Sequence, residues 1–216
     1  MDGGQHSDAC EPESGSTNCE GLLPDLLPVP GATTVTRDYS PDALLTDVTI
    51  TDPGGDVNTY SLLWDTAPLI PQVVSITHNG DTSHIVYGPT RTFAVEGTTA
   101  TGFGYSILGD VTSGNHVVAG GYAPYGSPDA SELSVGFGYR GELHVGDLIY
   151  LRHRDLDPTL GRFITTDPLG GVPGTTTFAS QYHYAHNNPI GLTDRNGLRP
   201  EDDAFPGVRS ASVTSH

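Results

Sequence analysis

The sequence lacks lysine altogether and has few basic residues of any kind. All nine basic side chains are arginines, against 26 Asp and Glu, so the 216-residue chain has a formal net charge of −17. A protein that binds nucleic acid neutralises phosphates with a basic surface, and adhesion to an anionic membrane has the same requirement. We therefore expect neither nucleic acid nor a membrane surface as a partner.

Long hydrophobic runs are also absent. The most apolar early segment, residues 22–29, is interrupted by Pro24 and Pro28 and contains Asp25. A membrane-spanning helix needs about 18 or more apolar residues, and a secretory signal needs a basic start followed by an apolar stretch. No membrane span and no signal peptide is visible. We expect a soluble chain whose export would depend on something outside this sequence.

Cysteine occurs only twice, at Cys10 and Cys19. Two thiolates cannot complete a structural zinc site without histidine partners, and His6 alone is a weak candidate. A disulfide and a pair of free thiols are equally open. Residues 1–31 consist largely of Gly, Ser, Pro and acidic residues without periodicity, so we predict a disordered acidic arm there.

Glycine and proline are abundant, with 28 and 17 residues. Together they make about a fifth of the chain, against about 12% in ordinary proteins, which excludes a coiled coil or helical bundle. Short runs of Val, Thr, Tyr and Ile alternate with turn clusters. Asn79-Gly80 between two such runs predicts a tight hairpin over residues 78–81. We predict a mainly β fold of short antiparallel strands and hairpins, in which only residues 40–47 look helical.

Several short segments of the sequence repeat one another. Residues 39–43, 105–109 and 122–126 each begin with Tyr and have Gly or Ala four residues later, and Phe103-Gly-Tyr105 recurs as Phe137-Gly-Tyr139. A Tyr followed by a turn glycine suits a β-hairpin, because the ring packs on the strand while the glycine takes a backbone angle that other residues avoid. The repeated segments indicate a loosely repetitive β region.

The arginines are concentrated in the last third of the chain. Residues 1–136 contain two Arg and 17 acidic residues, whereas residues 137–216 contain seven Arg and nine acidic residues. Drift in composition along the chain would explain this distribution, and so would specific arginine–carboxylate pairs in the last third. Both interpretations are open from the sequence.

Arg154, Asp167 and Asp194 are the candidates for chemistry. Two carboxylates brought together do not both stay ionised easily, so one can donate a proton while the other accepts one, and such a pair can activate water. A nearby arginine fork holds a carboxylate in fixed geometry. From the residues alone they are equally explained as surface or turn residues, because Asp-Pro and Asp-x-x-Gly are ordinary turn sequences.

Three motifs carry a resemblance to a known family. Residues 150–170 read YLRHRDLDPTLGRFITTDPLG, residues 182–189 read YHYAHNNP, and residues 194–198 read DRNGL. In order and spacing they are similar to the core pattern of bacterial RHS proteins, and the Tyr/Gly units upstream resemble the YD repeats of that family. The other matched positions are Tyr150, Arg152, Asp157, Pro158, Gly161, Arg162, Phe163, Pro168, Asn187, Asn188, Pro189 and Gly197.

The resemblance implies a division of the chain and an activity. It implies a YD-repeat-like region over 32–137, an RHS-associated core over 138–198 that plugs one end of a shell, and a disordered tail over 199–216. In RHS cores of polymorphic toxins, an aspartyl-type self-protease cuts once after the closing motif and leaves a C-terminal effector inside a hollow β shell. By position, Asp167 and Asp194 would be the catalytic pair, Arg154 would orient them, and the cut would fall between Leu198 and Arg199.

The same resemblance implies partners and location. The remaining RHS shell or a longer RHS chain would be the partner, the protein would be secreted or at the cell surface, and no cofactor or metal is implied. The chain departs from the pattern at Leu156, where the family has Tyr, and at Arg195, where it has Pro. The 18 residues after Leu198 are also shorter than a toxin domain.

A second hypothesis belongs to another class of protein. A non-enzymatic extracellular β module could bind carbohydrate or a cell-surface partner through a Tyr- and Asn-rich surface, and a truncated remnant without an effector is a further alternative. We expect no metal ligand role for His183 and His186, since their spacing places them on opposite faces of a strand. We expect residues 52–58 to form a turn, because the bidentate Glu of a calcium loop is missing.

Overall fold

The computed structural model describes residues 32–129, 133–168, 180–198 and 200–202, and it is mainly β. The predicted arm 1–31 with Cys10 and Cys19, residue Arg199 and residues 203–216 lie outside the described residues. The predicted fold class of short antiparallel strands and hairpins is confirmed.

The first part of the chain forms a seven-stranded antiparallel sheet in which each strand pairs with the next. Polar and apolar residues alternate along these strands, so one face is buried and the other exposed. In β3, for example, Tyr60 and Leu62 are buried, whereas Ser61 and Leu63 are exposed. The strands are β1 (Thr34–Tyr39), β2 (Leu45–Thr51), β3 (Val57–Asp65), β4 (Gln72–His78), β5 (Asp81–Tyr87), β6 (Arg91–Glu96) and β7 (Thr99–Gly102).

The predicted hairpin at residues 78–81 is confirmed. Asn79 and Gly80 both have positive φ, +49° and +98°, as the tight primed turn between β4 and β5 requires. Residues 40–47, which we expected to look helical, instead form a turn followed by the start of β2. The helical expectation was wrong because Leu45, Val48 and Ile50 are needed on the buried face of the sheet.

The repeated Tyr segments form the same turn three times. In each segment the residue after Tyr donates from its backbone N–H across the turn to the carbonyl five residues after Tyr: Ser40 to Leu44, Ser106 to Asp110, and Ala123 to Ser127. The predicted special position has positive φ in each, at Ala43, Gly109 and Gly126. Each segment is thus a tight turn with the same hydrogen bond and a left-handed residue at the same place, so the repeated sequence reflects one shared turn geometry.

A second antiparallel sheet of five strands follows. Single-turn 3₁₀ segments lie at Tyr139–Gly141 and Ala185–Asn187. The five strands are β10 (Val135–Phe137), β11 (Leu143–Val145), β12 (Leu148–Tyr150), β13 (Asp155–Asp157) and β14 (Arg162–Phe163). Two small hairpins flank them, β8 (Gly104–Tyr105) with β9 (Val111–Ser113) and β15 (Leu192–Thr193) with β16 (Glu201–Asp202). Strand β16 lies where the sequence predicted a disordered tail.

The five-stranded sheet is buried on both faces. One face packs on the seven-stranded sheet, in a cluster that joins Leu45 and Ile76 to Phe137 and Tyr150. The other face forms a second cluster, made of Tyr139, Ile149, Leu151, Leu156, Phe163, Tyr184 and Ala185. The Tyr150 hydroxyl donates to the Ala43 carbonyl at 3.2 Å and accepts the Leu45 N–H at 3.1 Å, which ties the two sheets together.

Candidate active site around Arg154

Arg154 is positioned by the tight turn between β12 and β13. The backbone N–H of Leu151 donates to the Arg154 carbonyl at 3.0 Å, and Arg152 inside the turn has a φ of +67°. The turn directs the Arg154 side chain inward, where only 5% of the residue is exposed. Its guanidinium carbon lies 3.7 Å from the centre of the Phe163 ring, so the cation packs on an aromatic face.

The guanidinium of Arg154 brings the two candidate carboxylates together. Its Nη2 lies 3.3 Å from Asp167 Oδ2 and 3.4 Å from Asp194 Oδ2. Nη1 donates to the Gln181 carbonyl at 3.3 Å, and Nε donates to the Gly197 carbonyl. Residues 13 and 40 positions away in sequence thus meet on one nitrogen atom. Spacing alone could not show that arrangement.

The electrostatics of this cluster are those of a buried cation between two acids. Burial lowers the pKa of the Arg154 guanidinium, and the charges of Asp167 and Asp194 oppose that shift. Asp194 is buried at 1% exposure, whereas the Asp167 side chain retains 13%. Asp167 is therefore the carboxylate that solvent reaches more easily.

Asp194 also contacts the residue on which the predicted cut falls. Its Oδ1 accepts the backbone N–H of Leu198 at 2.9 Å, and the Asn196 Oδ1 accepts the same N–H at 3.0 Å. Gly197 in between has a φ of +70°, and a Cβ there would lie 2.9 Å from the Leu151 carbonyl oxygen. Only glycine fits this position without movement of the backbone.

Arg152, next to Arg154, forms a separate ion pair. Its Nη1 binds Glu142 and also donates to the Arg195 carbonyl at 2.8 Å, while Nη2 donates to the Pro71 carbonyl at 3.2 Å. Arg152 and Arg154 thus each pair with carboxylates, as one of the two interpretations of the arginine-rich last third expects. Arg195, which stands where the resembled pattern has Pro, contributes its backbone to this network.

Most of the other motif residues build turns or fill the core. Asp157 accepts the N–H groups of Thr159 and Leu160 through Oδ1, and Gly161 packs on the Tyr125 ring at a φ of +66°. Leu156, in place of the family's Tyr, is fully buried beside Phe163. The carbonyls of Pro158 and Pro189 accept hydrogen bonds. The Asn188 side chain accepts the Gly191 N–H and so closes a turn, and Asn187 before it has positive φ. Arg162 and Pro168 are exposed.

A second buried arginine site lies at Arg140, which no motif singled out. Arg140 donates through its guanidinium to the carbonyls of Leu108, Pro189 and Ile190, and its backbone N–H donates to Asp110 Oδ1 at 2.9 Å. This residue joins the Asn-Asn-Pro motif to the β8–β9 hairpin. Its place in the arginine-rich third was the available signal, but the carbonyl groups that its guanidinium binds leave no trace in sequence.

The remaining candidate positions carry no cluster of ligands. His183 forms an isolated antiparallel bridge with Arg162, whereas His186 lies in the second 3₁₀ segment at a φ of +51°, so the two do not share one strand as expected. Residues 52–58 begin with the turn between β2 and β3, in which Asp52 Oδ1 accepts the Asp56 N–H at 3.0 Å. Within the described ranges, no three acidic, His or Cys side chains converge as metal ligands. The same ranges contain no helix long and apolar enough to span a membrane.

Comparison with known proteins gives short or distant matches. No family model matches the chain. The uncharacterized protein YibJ of Escherichia coli K12 is 46% identical over 66 residues, which are 28% of this chain and 26% of YibJ. The chain thus spans about a quarter of the length of that relative.

Solved toxin-complex structures are similar over more of the chain. The crystal structure of TcdB2-TccC3-TEV is 16% identical, with a TM-score of 0.48, over 76% of this chain and 9% of that one. The structure of TcdB2-TccC3 without its hypervariable C-terminal region gives the same identity, TM-score and coverage. This chain therefore spans less than a tenth of the TcdB2-TccC3 chains.

Proposed function

We propose that the chain is an RHS-type core module that cuts its own backbone once, between Leu198 and Arg199. The observation that supports this proposal best is the contact of both Asp167 and Asp194 with the same nitrogen of Arg154. The second carboxylate oxygen of Asp194 accepts the N–H of Leu198, the residue that would carry the scissile carbonyl, and this contact also supports the proposal. Two carboxyl groups that act as base and acid on a water molecule and a peptide bond are the components of an aspartyl-type hydrolysis.

The proposed reaction consumes one water molecule. One carboxylate takes a proton from water as the water oxygen attacks the Leu198 carbonyl carbon, and the other carboxyl group donates its proton to the departing Arg199 nitrogen. The C–N bond breaks, and the products are a carboxyl group on Leu198 and an amino group on Arg199. We assign the water-activating role to Asp167, because its side chain is the more exposed of the two.

Arg154 would make this pair effective in two ways. Its charge favours an ionised carboxylate beside it, which keeps one acid available as a base. Its stacking on Phe163 and its bonds to the Gln181 and Gly197 carbonyls fix the guanidinium in place. A charge fixed in a buried site stabilises developing charge without reorganisation during the reaction.

The wider role that we propose is enclosure and processing of a C-terminal effector within a longer, exported RHS-type shell. Within the described residues, β1 and β7 each pair on one side only. Unpaired edges of this length readily accept strands from another part of a chain or from another chain. The edges therefore support a partner that continues the sheet.

The self-cleavage proposal is tested by intact mass after expression. The wild type should lose the residues after Leu198, whereas Asp194→Asn and Asp167→Asn should keep the full mass, because each removes one member of the acid–base pair. Asp56→Asn, an exposed turn residue, is the matched control and should be cut like the wild type. An uncut wild type would overturn the proposal.

A specific cavity favours carbohydrate binding as the second candidate function. It has a volume of about 470 Å³ and is lined in part by Tyr125, Arg162, Tyr182, His183 and Asn187. Aromatic faces beside hydrogen-bonding side chains suit a sugar ring. Saturation-transfer NMR with a panel of saccharides tests this candidate: signal that is lost in Tyr182→Ala supports it, and no signal from any saccharide removes it.

A further inference from the structure

Three consecutive residues that end at the buried Arg154 contact three consecutive carbonyls before the proposed cut. Arg152 donates to the carbonyl of Arg195 at 2.8 Å. His153 contacts the carbonyl of Asn196 through its ring Nδ1 at 2.9 Å and through its backbone N–H at 3.4 Å. Arg154 donates to the carbonyl of Gly197. The two segments therefore lie side by side in a single register.

His153 is the member of this set that no motif singles out. It stands at a variable position of the resembled pattern, and it is exposed, so it fills no core space. Its partner Asn196 accepts the Leu198 N–H through its side chain at 3.0 Å. A chain of contacts thus runs from the His153 ring through Asn196 to the residue that carries the proposed scissile carbonyl.

We propose that His153 is a positioning residue that sets the register of the cleaved segment and so selects the bond that is cut. This inference rests on the proposed self-cleavage. A hydrogen bond to a backbone carbonyl holds the backbone in place whichever side chain that residue carries. Residues 152–154 would therefore hold residues 195–197 by their position in the chain and not by their side chains. Loss of the His153 contact lets Asn196, and with it the Leu198 peptide, move relative to Asp194.

The geometry explains why an imidazole suits this place. The Nδ1 of His153 must carry the hydrogen, because a carbonyl oxygen can only accept. An asparagine side chain places an N–H at a similar distance from its backbone, so His153→Asn keeps the donor, whereas His153→Ala removes it. The two substitutions separate the hydrogen bond from the mere presence of a histidine.

The experiment follows self-cleavage of the full chain during cell-free synthesis, with samples quenched at intervals and measured by intact mass. His153→Ala should be cut roughly tenfold more slowly, as expected for one lost hydrogen bond in the transition state, and should give additional products cut one residue away. His153→Asn should restore the wild-type rate and the single product. His84→Ala, at an exposed histidine of β5, is the matched control and should behave as the wild type.

The outcomes separate this inference from the proposed function. An uncut wild type overturns the self-cleavage itself. A wild type that is cut while His153→Ala is equally fast and gives one product overturns the positioning role alone. Equal slowing of His153→Ala and His153→Asn also overturns it, because the donor is kept in one of them. If His153→Ala unfolds at a lower temperature than the wild type, Asn196→Ala is the second variant, because it removes the side chain that accepts the Leu198 N–H. Cleavage of Asn196→Ala at the wild-type rate and at the wild-type bond contradicts the inference.

Discussion

The two sheets of this protein are stabilised in different ways. The seven-stranded sheet has regular antiparallel register and buries mainly apolar side chains, with Ser75 and Ser83 as its only buried polar residues among those described. The five-stranded sheet and the loops around it bury ionisable groups, namely Asp110, Arg140, Glu142, His144, Arg154 and Asp194. The first region is a scaffold, and the second is where buried charge is concentrated.

The contrast between the two sheets indicates where a fold can hold buried charged groups. A buried ionisable group costs free energy unless it is paired or hydrogen-bonded, so a fold keeps such groups only where a network satisfies them. The strands of the second sheet have two or three residues each, and the loops that follow this sheet direct the carbonyls of Pro189, Arg195 and Gly197 toward Arg140, Arg152 and Arg154. Loops packed against the sheet therefore supply acceptors for these arginines.

Removal of the cation at the centre of the second region should have the largest effect. Arg154→Met leaves Asp194 buried without the charge of Arg154, and breaking a buried pair in this way costs about 3–5 kcal/mol. Urea denaturation should show this loss of unfolding free energy, together with absence of self-cleavage. A change below about 1 kcal/mol would show that the buried charges do not stabilise this region.

The matching substitution in the first region removes apolar volume from the sheet. Ile76 in β4 is fully buried, so Ile76→Ala should cost about 2–5 kcal/mol through lost transfer energy and a cavity. Self-cleavage should persist at temperatures where the variant stays folded. Leu63→Ala, on the exposed face, is the control and should change the urea midpoint little. A cleavage defect in folded Ile76→Ala would contradict the separation of scaffold and site.

Acid should weaken the second region through His144. Burial lowers the pKa of His144 to about 4 from its ordinary 6.5, and its Nε2 accepts the Tyr139 N–H at 3.1 Å. Above pH 6.5 the ring is neutral in both the folded and the unfolded chain. As the pH falls toward 4, only the unfolded chain takes up the proton, so stability is lost across that window.

The loss of unfolding free energy through His144 is large enough to measure. At about 1.4 kcal/mol for each pH unit, the unfolding free energy should fall by about 2 kcal/mol between pH 6.5 and 5 through this residue. His144→Gln keeps an acceptor but does not titrate, so its urea midpoint should depend less on pH than that of the wild type. The same pH dependence in both proteins would show that His144 does not govern it.

The smallest effect is expected at the hairpin of the first region. Gly80→Ala adds a Cβ that meets nothing within 4 Å, so only the positive φ opposes it. The cost should be about 1 kcal/mol, measured by the shift in urea midpoint. A cost as large as that of Ile76→Ala would mean that the turn contributes more to the sheet than its local geometry indicates.

The sequence predicted the scaffold better than the site. Asn79-Gly80 and the alternating strands around it are local signals, because turn geometry and face burial depend on neighbouring residues. The failure at residues 40–47 has the same origin: the buried face of the sheet, a non-local feature, decides the conformation of Leu45 and Val48.

The site depends on contacts that spacing cannot show. Arg154 and the two aspartates were identified through a motif, but their meeting on one nitrogen follows from the β12–β13 turn and the loop before β16. His153 and Arg140 could not be singled out from the sequence because both bind backbone carbonyls, which every residue has. Side chains that pair with other side chains leave a clearer sequence signal than side chains that bind backbone.

The central claim, that the chain cleaves itself by attack of water on the Leu198 carbonyl, is tested most directly by cleavage in heavy-oxygen water. Intact mass of the N-terminal product should show one heavy oxygen in the new Leu198 carboxyl group, since the attacking atom comes from solvent. Absence of the label from a product cut at Leu198, or a chain that stays whole, would contradict the account.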